Sequence, residues 1–148
     1  MAEITPMTER DIEEVRRIEV LCFGRLTTRE AWERELANPV SLSLVAREGE
    51  GGIAGYGTVW LVADEAQLID LAVDPLWRRQ GIGLRLLRSL IHQSAAAGVA
   101  RMHLEVGAVN EPALRLYESC GFIETGRRKA YYAREDGDAL LMTLLIEA

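Results

Sequence analysis

The run from Leu71 to Leu90 constrains this chain more than any other, because it joins an apolar strand end to a helix through a loop holding both arginines and glycines. Leu71, Ala72 and Val73 read as the end of a strand, and Asp74-Pro75 as a tight turn. Arg78, Arg79, Gln80 and Gly81 form the loop, and a helix opens around Ile82, Gly83 and Leu84. Within that helix Ile82, Leu86, Leu87, Leu90 and Ile91 recur at helical spacing, while Arg85, Arg88 and His92 fall on the opposite side. The helix therefore has one stripe for a core and one for water.

The first N–H groups of a helix lack internal partners and carry the positive end of its dipole, so a glycine-rich, arginine-flanked entry suits phosphate oxygens. Gly81 and Gly83 place no Cβ in the path of such an anion. For two glycines alone a plain strand-to-helix turn with solvated arginines is the commoner case, and at this point both readings stand. Two familiar phosphate loops are excluded. No Lys-Ser or Lys-Thr follows the glycines, and the third glycine of a dinucleotide fingerprint is missing.

A length of 148 residues fits a single domain, 1–148, with a real core. Seventeen basic against 23 acidic residues give a net charge of −6, which argues against a nucleic-acid partner. Cys22 and Cys120 have no metal-ligand spacing around them and read as reduced, half-buried thiols. No apolar run reaches the length of a membrane span, and the N-terminus lacks a signal-peptide layout, so a cytoplasmic protein without membrane contact is expected.

In chain order, Glu3 to Pro6 reads as a short strand. Thr8-x-x-Asp11 opens a helix carrying Ile12, Val15, Ile18 and Cys22 on one face, and Thr27-x-x-Glu30 opens a second with Trp32 and Leu36, stopped at Asn38-Pro39. Strands are expected over 42–47, 53–62 and 67–73, joined by turns at 48–52 and 63–66. After the central helix, Gly98 is a stop and 101–106 a buried strand. A helix over 110–120 closes at Gly121, and strands over 122–132 and 139–146 end the chain. The order βααβββαβαββ predicts an α/β (α+β) fold whose mixed sheet has helices on both faces.

Two places invite chemistry. In Met102-His103-Leu104-Glu105-Val106 the apolar side chains share one face, and His103 and Glu105 share the other. A carboxylate there needs either a role or a partner, such as Arg101, His103 or a group on a nearby helix. Asn110 and Tyr117 return to within roughly 20° of each other around their helix. Blandly, they are an N-cap and a core aromatic.

The pattern Arg78-x-x-Gly81-x-Gly83 after Val73-x-Pro75, with Asn110-x-x-Ala113-x-x-Leu116-Tyr117-x-x-x-Gly121-Phe122, resembles the GNAT superfamily of N-acetyltransferases. The resemblance covers nearly the whole chain in element order, and implies a mostly antiparallel central sheet. It also implies acetyl-CoA as co-substrate, held by the backbone of the Arg78 to Leu84 loop. Leu71, Ala72 and Val73 would line the pantetheine arm, with Asn110 on the cofactor and Tyr117 near the sulfur. Within the superfamily, Leu104-Glu105-Val106, Leu116-Tyr117-Glu118-Ser119, Arg128-x-x-Tyr131-Tyr132 and Asp138-Ala139-x-x-Met142 resemble the RimI type. These are bacterial enzymes that acetylate the N-terminal alanine of a small-subunit ribosomal protein. Gly107, where that type usually has arginine, and the Cys22 to Arg25 segment depart from its pattern.

The expected reaction is direct acetyl transfer to a protein or peptide N-terminus, with Glu105 as base, Tyr117 as acid, and Tyr131 and Tyr132 at the acceptor. No metal is required. A GNAT acting on a small amine, or a non-catalytic acyl-CoA-binding module, are the competing readings; oligomeric state is not encoded in any recognisable way.

Overall fold

The structure, a computed structural model, describes residues 2–49, 51–129 and 137–146. Its elements are β1 (Glu3–Pro6), α1 (Ile12–Phe23), α2 (Arg29–Ala37), β2 (Ser41–Glu48), β3 (Gly52–Val62), β4 (Glu65–Val73), α3 (Ile82–Ala96), β5 (Arg101–Gly107), α4 (Glu111–Ser119), β6 (Ile123–Arg128) and β7 (Ala139–Leu145). The expected order holds. Among the described residues seven strands form one sheet in the order β1-β2-β3-β4-β5-β7-β6, antiparallel at every step except β4–β5.

Two cores flank the sheet. On one face Ile12, Val15 and Ile18 of α1 and Trp32 of α2 pack against Val45, Tyr56 and Ala72. On the other, Ile82, Leu86, Leu87 and Leu90 of α3 pack with Leu44, Ala54, Met102, Leu104 and Val106, and α4 adds Leu116 and Tyr117 at the margin. The stripe read from α3 is thus its buried face. It lies close to β3 because Gly55 and Gly57 make room: a Cβ at Gly55 would stand 3.2 Å from Leu86, and one at Gly57 2.8 Å from Leu90.

Several boundaries move for identifiable reasons. The Thr8–Asp11 capping box, with the Thr8 N–H donating to Asp11 Oδ2 at 2.9 Å, opens a 3-10 turn over Glu9–Asp11 before α1 begins. The cap of α2 is Thr28, whose hydroxyl accepts from the Ala31 N–H, and not Thr27. Thr27 is diverted: its N–H and its hydroxyl both donate to the buried Glu19 carboxylate. The β3–β4 turn shortens to Ala63 and Asp64, with Ala63 at φ 55°, so β4 starts at Glu65. β6 ends at Arg128, and the expected extension to residue 132 runs outside the described residues, as do Tyr131 and Tyr132.

The feature that makes a site is the way β4 leaves β5. The two pair only at Glu65↔Arg101, Ala66↔Met102 and Gln67↔His103. Immediately beyond, the β3–β4 register slips, Thr58 facing Asp70 and Val59 facing Leu68, so that Ile69 is an extra residue. A bulge bends its strand and increases its twist. Here it turns the second half of β4 away from β5 and opens a wedge between two strands that share one sheet.

Candidate active site

The wedge is a cleft of about 310 Å³ whose walls include Leu71 and Asp70 of β4, Glu105 and Gly107 of β5, Asn110 and Tyr117 of α4, and Phe23 at the end of α1. Asp74 donates its N–H to the Ala54 carbonyl at 2.8 Å, which fixes the alternation at the end of β4. Leu71 and Val73 therefore turn their N–H and C=O groups away from β3, toward the side that β5 has vacated. Of the three residues expected to line this wall, Ala72 is the exception. It is buried beneath α1 and α2, and its backbone bonds into β3.

The loop expected to hold phosphate is built by charge and by backbone. Asp74, itself buried, accepts from the Leu76 N–H at 2.9 Å and pairs with Arg17 of α1 at 3.0 Å, anchoring the turn over Pro75–Trp77. Beyond it Arg79 and Gly81 take left-handed φ values of 66° and 77°, and Gly81 caps α3. The two glycines differ in what they supply. Gly81 needs its conformation, having open space around it. Gly83 lies between β4 and α4, where a Cβ would touch Val73 at 3.5 Å and Leu116 at 3.7 Å. Arg78, Arg79 and Gln80 are exposed, Ile82 sends its side chain into the core, and Leu84 is half-buried. The Arg78 guanidinium folds back, with Nε donating to the Val73 carbonyl at 3.2 Å; the Cys22 thiol meets the same oxygen at 3.2 Å. Both cysteines are free and half-buried.

On the opposite wall Glu105 has a partner, but none of those anticipated. Its Oε1 lies 2.7 Å from Arg128 of β6. Arg101 instead pairs with Asp64 and Glu65, and His103 lies between Glu65 and Thr143. The anticipated partners sit beside Glu105 in sequence, whereas Arg128 reaches it across β7, which separates β5 from β6 in the sheet. Asn110 caps α4, its Oδ1 accepting from the Ala113 N–H at 3.4 Å. Tyr117 stacks edge-on to Phe122, and burial, with the charge of Asp70 adding to it, pushes its hydroxyl up to about 12.

Sequence reasoning missed Asp70. Its side chain is 10% exposed and takes 2.6 Å contact from Arg25, which also reaches Glu19 at 2.6 Å. Burial raises the Asp70 carboxyl above its ordinary range, against the opposing pull of Arg25. The signal was present: an acidic residue interrupts the apolar run from Leu68 to Val73. Glu19, fully buried, is the hub of the α1–α2 joint and accepts from Arg25, from Thr27 and from the Trp32 indole at 3.3 Å.

The acetyltransferase (GNAT) family model matches residues 12–122, a span holding the loop, the wedge and both faces of Glu105 and Tyr117. The chain belongs to the acetyltransferase (GNAT) family. A solved structure of this family, the ribosomal-protein-S18-alanine N-acetyltransferase from Escherichia coli, superposes with a TM-score of 0.89 at 34% identity over 100% of this chain and 96% of the other. Over 98 residues, 65% of this chain and 66% of the relative, the sequence is 46% identical to the ribosomal protein bS18-alanine N-acetyltransferase of Escherichia coli strain K12. A Bacillus subtilis protein, whose name assigns it that activity provisionally, is 36% identical over 146 residues, 98% of this chain and 96% of its own length. This GNAT chain is an N-acetyltransferase that uses acetyl-CoA, as its family does. Among the described residues no helix is long and apolar enough to cross a membrane.

Proposed function

We propose that the acceptor is the N-terminal α-amino group of a protein, that of ribosomal protein S18 beginning with alanine, and that Glu105 and Tyr117 carry the proton transfers. The observation behind the assignment of roles is the wedge itself, which sets Glu105 on one wall and Tyr117 beside it, facing backbone groups of β4 that no strand among the described residues covers. The names of the relatives above support the choice of acceptor.

An α-ammonium has a pKa of about 7.7–8.0 and must lose a proton before its nitrogen can attack the thioester carbon. The pairing with Arg128 occupies Oε1, so Oε2 is the oxygen that takes this proton, directly or through a water. The N–H of Val73 stabilises the oxyanion as the new C–N bond forms. When the C–S bond breaks, Tyr117, held protonated by burial, supplies a proton to the departing thiolate, and the proton that the nitrogen sheds on becoming an amide returns to the tyrosine oxygen.

The loop from Arg78 to Leu84 holds the pyrophosphate through its N–H groups, and Asn110 and Leu71 border the arm that leads from it to the wedge. Gly83→Val is expected to weaken acetyl-CoA binding at least about tenfold, since its added methyls fill the gap between Val73 and Leu116. A lone Cβ there makes only ordinary contacts, at 3.5 and 3.7 Å, so Gly83→Ala is the milder companion variant expected to fold. Calorimetric titration giving unchanged affinity in the folded variant would remove Gly83 from the site.

The acceptor assignment is tested by incubating the protein and acetyl-CoA with a set of peptides and reading acetylation by mass spectrometry. The set holds the S18 N-terminus, peptides with other first residues, and a polyamine. Acetylation of the alanine peptide above the others is the expected result; preferential acetylation of the polyamine would replace a protein acceptor by a small amine.

A further inference from the structure

The roles given to Glu105 and Tyr117 leave one charged group in the cleft unused. Asp70 holds Arg25 and the Tyr56 hydroxyl, at 2.6 and 3.3 Å, and both bonds end on Oδ2. Among the described residues Oδ1 accepts no hydrogen bond, although the residue lines the wedge together with Glu105 and Tyr117.

The charges around it do not balance. Two carboxylates, Glu19 and Asp70, share the single guanidinium of Arg25. Glu19 has no exposure and its oxygens are engaged by Arg25, Thr27 and Trp32. The surplus negative charge therefore resides on Asp70, the member of the cluster that opens to the cleft. Glu105, by contrast, is matched by Arg128. A buried charge without a full counterion is costly, and a cation delivered by a ligand removes that cost.

We propose that Asp70 is the acceptor's ammonium-binding residue: its Oδ1 receives the protonated amine as it enters the wedge, before Glu105 takes the proton. Asp70 thereby selects acceptors that arrive as cations. The inference rests on the N-acetyltransferase reading and adds a specificity-determining residue to it.

The test compares two peptides that differ only at the amine: one beginning with alanine, and one beginning with a propionyl group in its place. Binding is measured by calorimetry in the presence of CoA, for the wild type and for Asp70→Asn and Arg25→Gln. The wild type is expected to prefer the ammonium peptide by about tenfold, the range of a hydrogen bond to a charged group. Asp70→Asn should bring the two affinities to within about twofold of each other. Arg25→Gln, which leaves the carboxylate in place, should keep the preference. A purely structural Asp70 would weaken both peptides together, so an unchanged ratio in Asp70→Asn overturns the proposal, as does a ratio lost equally in Arg25→Gln. A wild type that binds and acetylates the alanine peptide but shows no ammonium preference overturns the role of Asp70 alone. One that neither binds nor acetylates it overturns the acceptor assignment as well.

Discussion

Replacing Glu105 by glutamine is expected to lower kcat at neutral pH by about 10²- to 10⁴-fold, the usual worth of a positioned general base. The amide keeps the shape and can still accept from Arg128, which stands 2.7 Å from the native carboxylate, but it cannot take a proton. Because the acceptor amine has a pKa of about 7.7–8.0, alkaline buffer supplies the free amine by titration, and much of the loss should be recovered there. Tyr117→Phe is expected to behave otherwise. The native hydroxyl, pushed up to about 12 mainly by burial, remains a proton donor throughout the working range. Without it the thiolate leaves unprotonated, and no increase in free amine replaces that proton. A thiolate is a tolerable leaving group, so the loss is moderate but persists at high pH. Full activity of Glu105→Gln at pH 7, or parallel recovery of both variants on raising the pH, would show that base and acid have been misassigned.

Glu19→Ala is expected to destabilise the fold by about 3 kcal/mol, the summed cost of leaving two buried donors unsatisfied, and to lower Tm by about 6–12 °C for a chain of this size. The side chain is fully buried, and its removal strands the Thr27 N–H and the Trp32 indole, while Arg25 keeps its pairing with Asp70. The pH dependence follows from the direction of its shift. Burial alone would push the Glu19 carboxyl up, but the bonds from Thr27, Arg25 and Trp32 outweigh it and hold the group below the ordinary glutamate range. A carboxyl depressed in the folded state contributes stability above its unfolded value, near 4.3, and loses it as pH falls through the folded one. Asp11, held down by Arg47 and Thr8 against its own burial, acts in the same sense. Asp70, whose carboxyl is raised, acts in the opposite one. The wild type should therefore lose stability on acidification below about pH 4.3, and Glu19→Ala should show a shallower acid slope from a lower starting point. Urea titrations across that range provide the measurement; a loss under about 1 kcal/mol at neutral pH would mean that other contacts hold the α1–α2 joint.

What the sequence determined by itself was everything carried by near neighbours and by period. The buried stripe of α3, the alternation that set Met102, Leu104 and Val106 against Glu105, and the stop signals at Gly98 and Gly121 all depend on residues within a few positions of one another. Gly98 and Gly121 do take the left-handed conformation, at φ 92° and 99°. These local signals are enough to give the element order, and the two short patterns around Gly81 and Tyr117 point to the family.

Tertiary structure alone decided which side chains meet. The wedge depends on one extra residue, Ile69, whose bulge appears only when β4 is set against β3. Thr27 was read as a helix cap because its neighbours suit one, but a carboxylate eight positions earlier offered both its N–H and its hydroxyl a buried partner, and Thr28 took the cap. Arg25 and Asp70 are 45 positions apart, and Glu105 meets Arg128 across an intervening strand. No periodicity links such pairs. Their charges are matched by the path of the backbone through space, and so the Asp70 carboxylate became visible in the wall of the cleft only once the chain was folded.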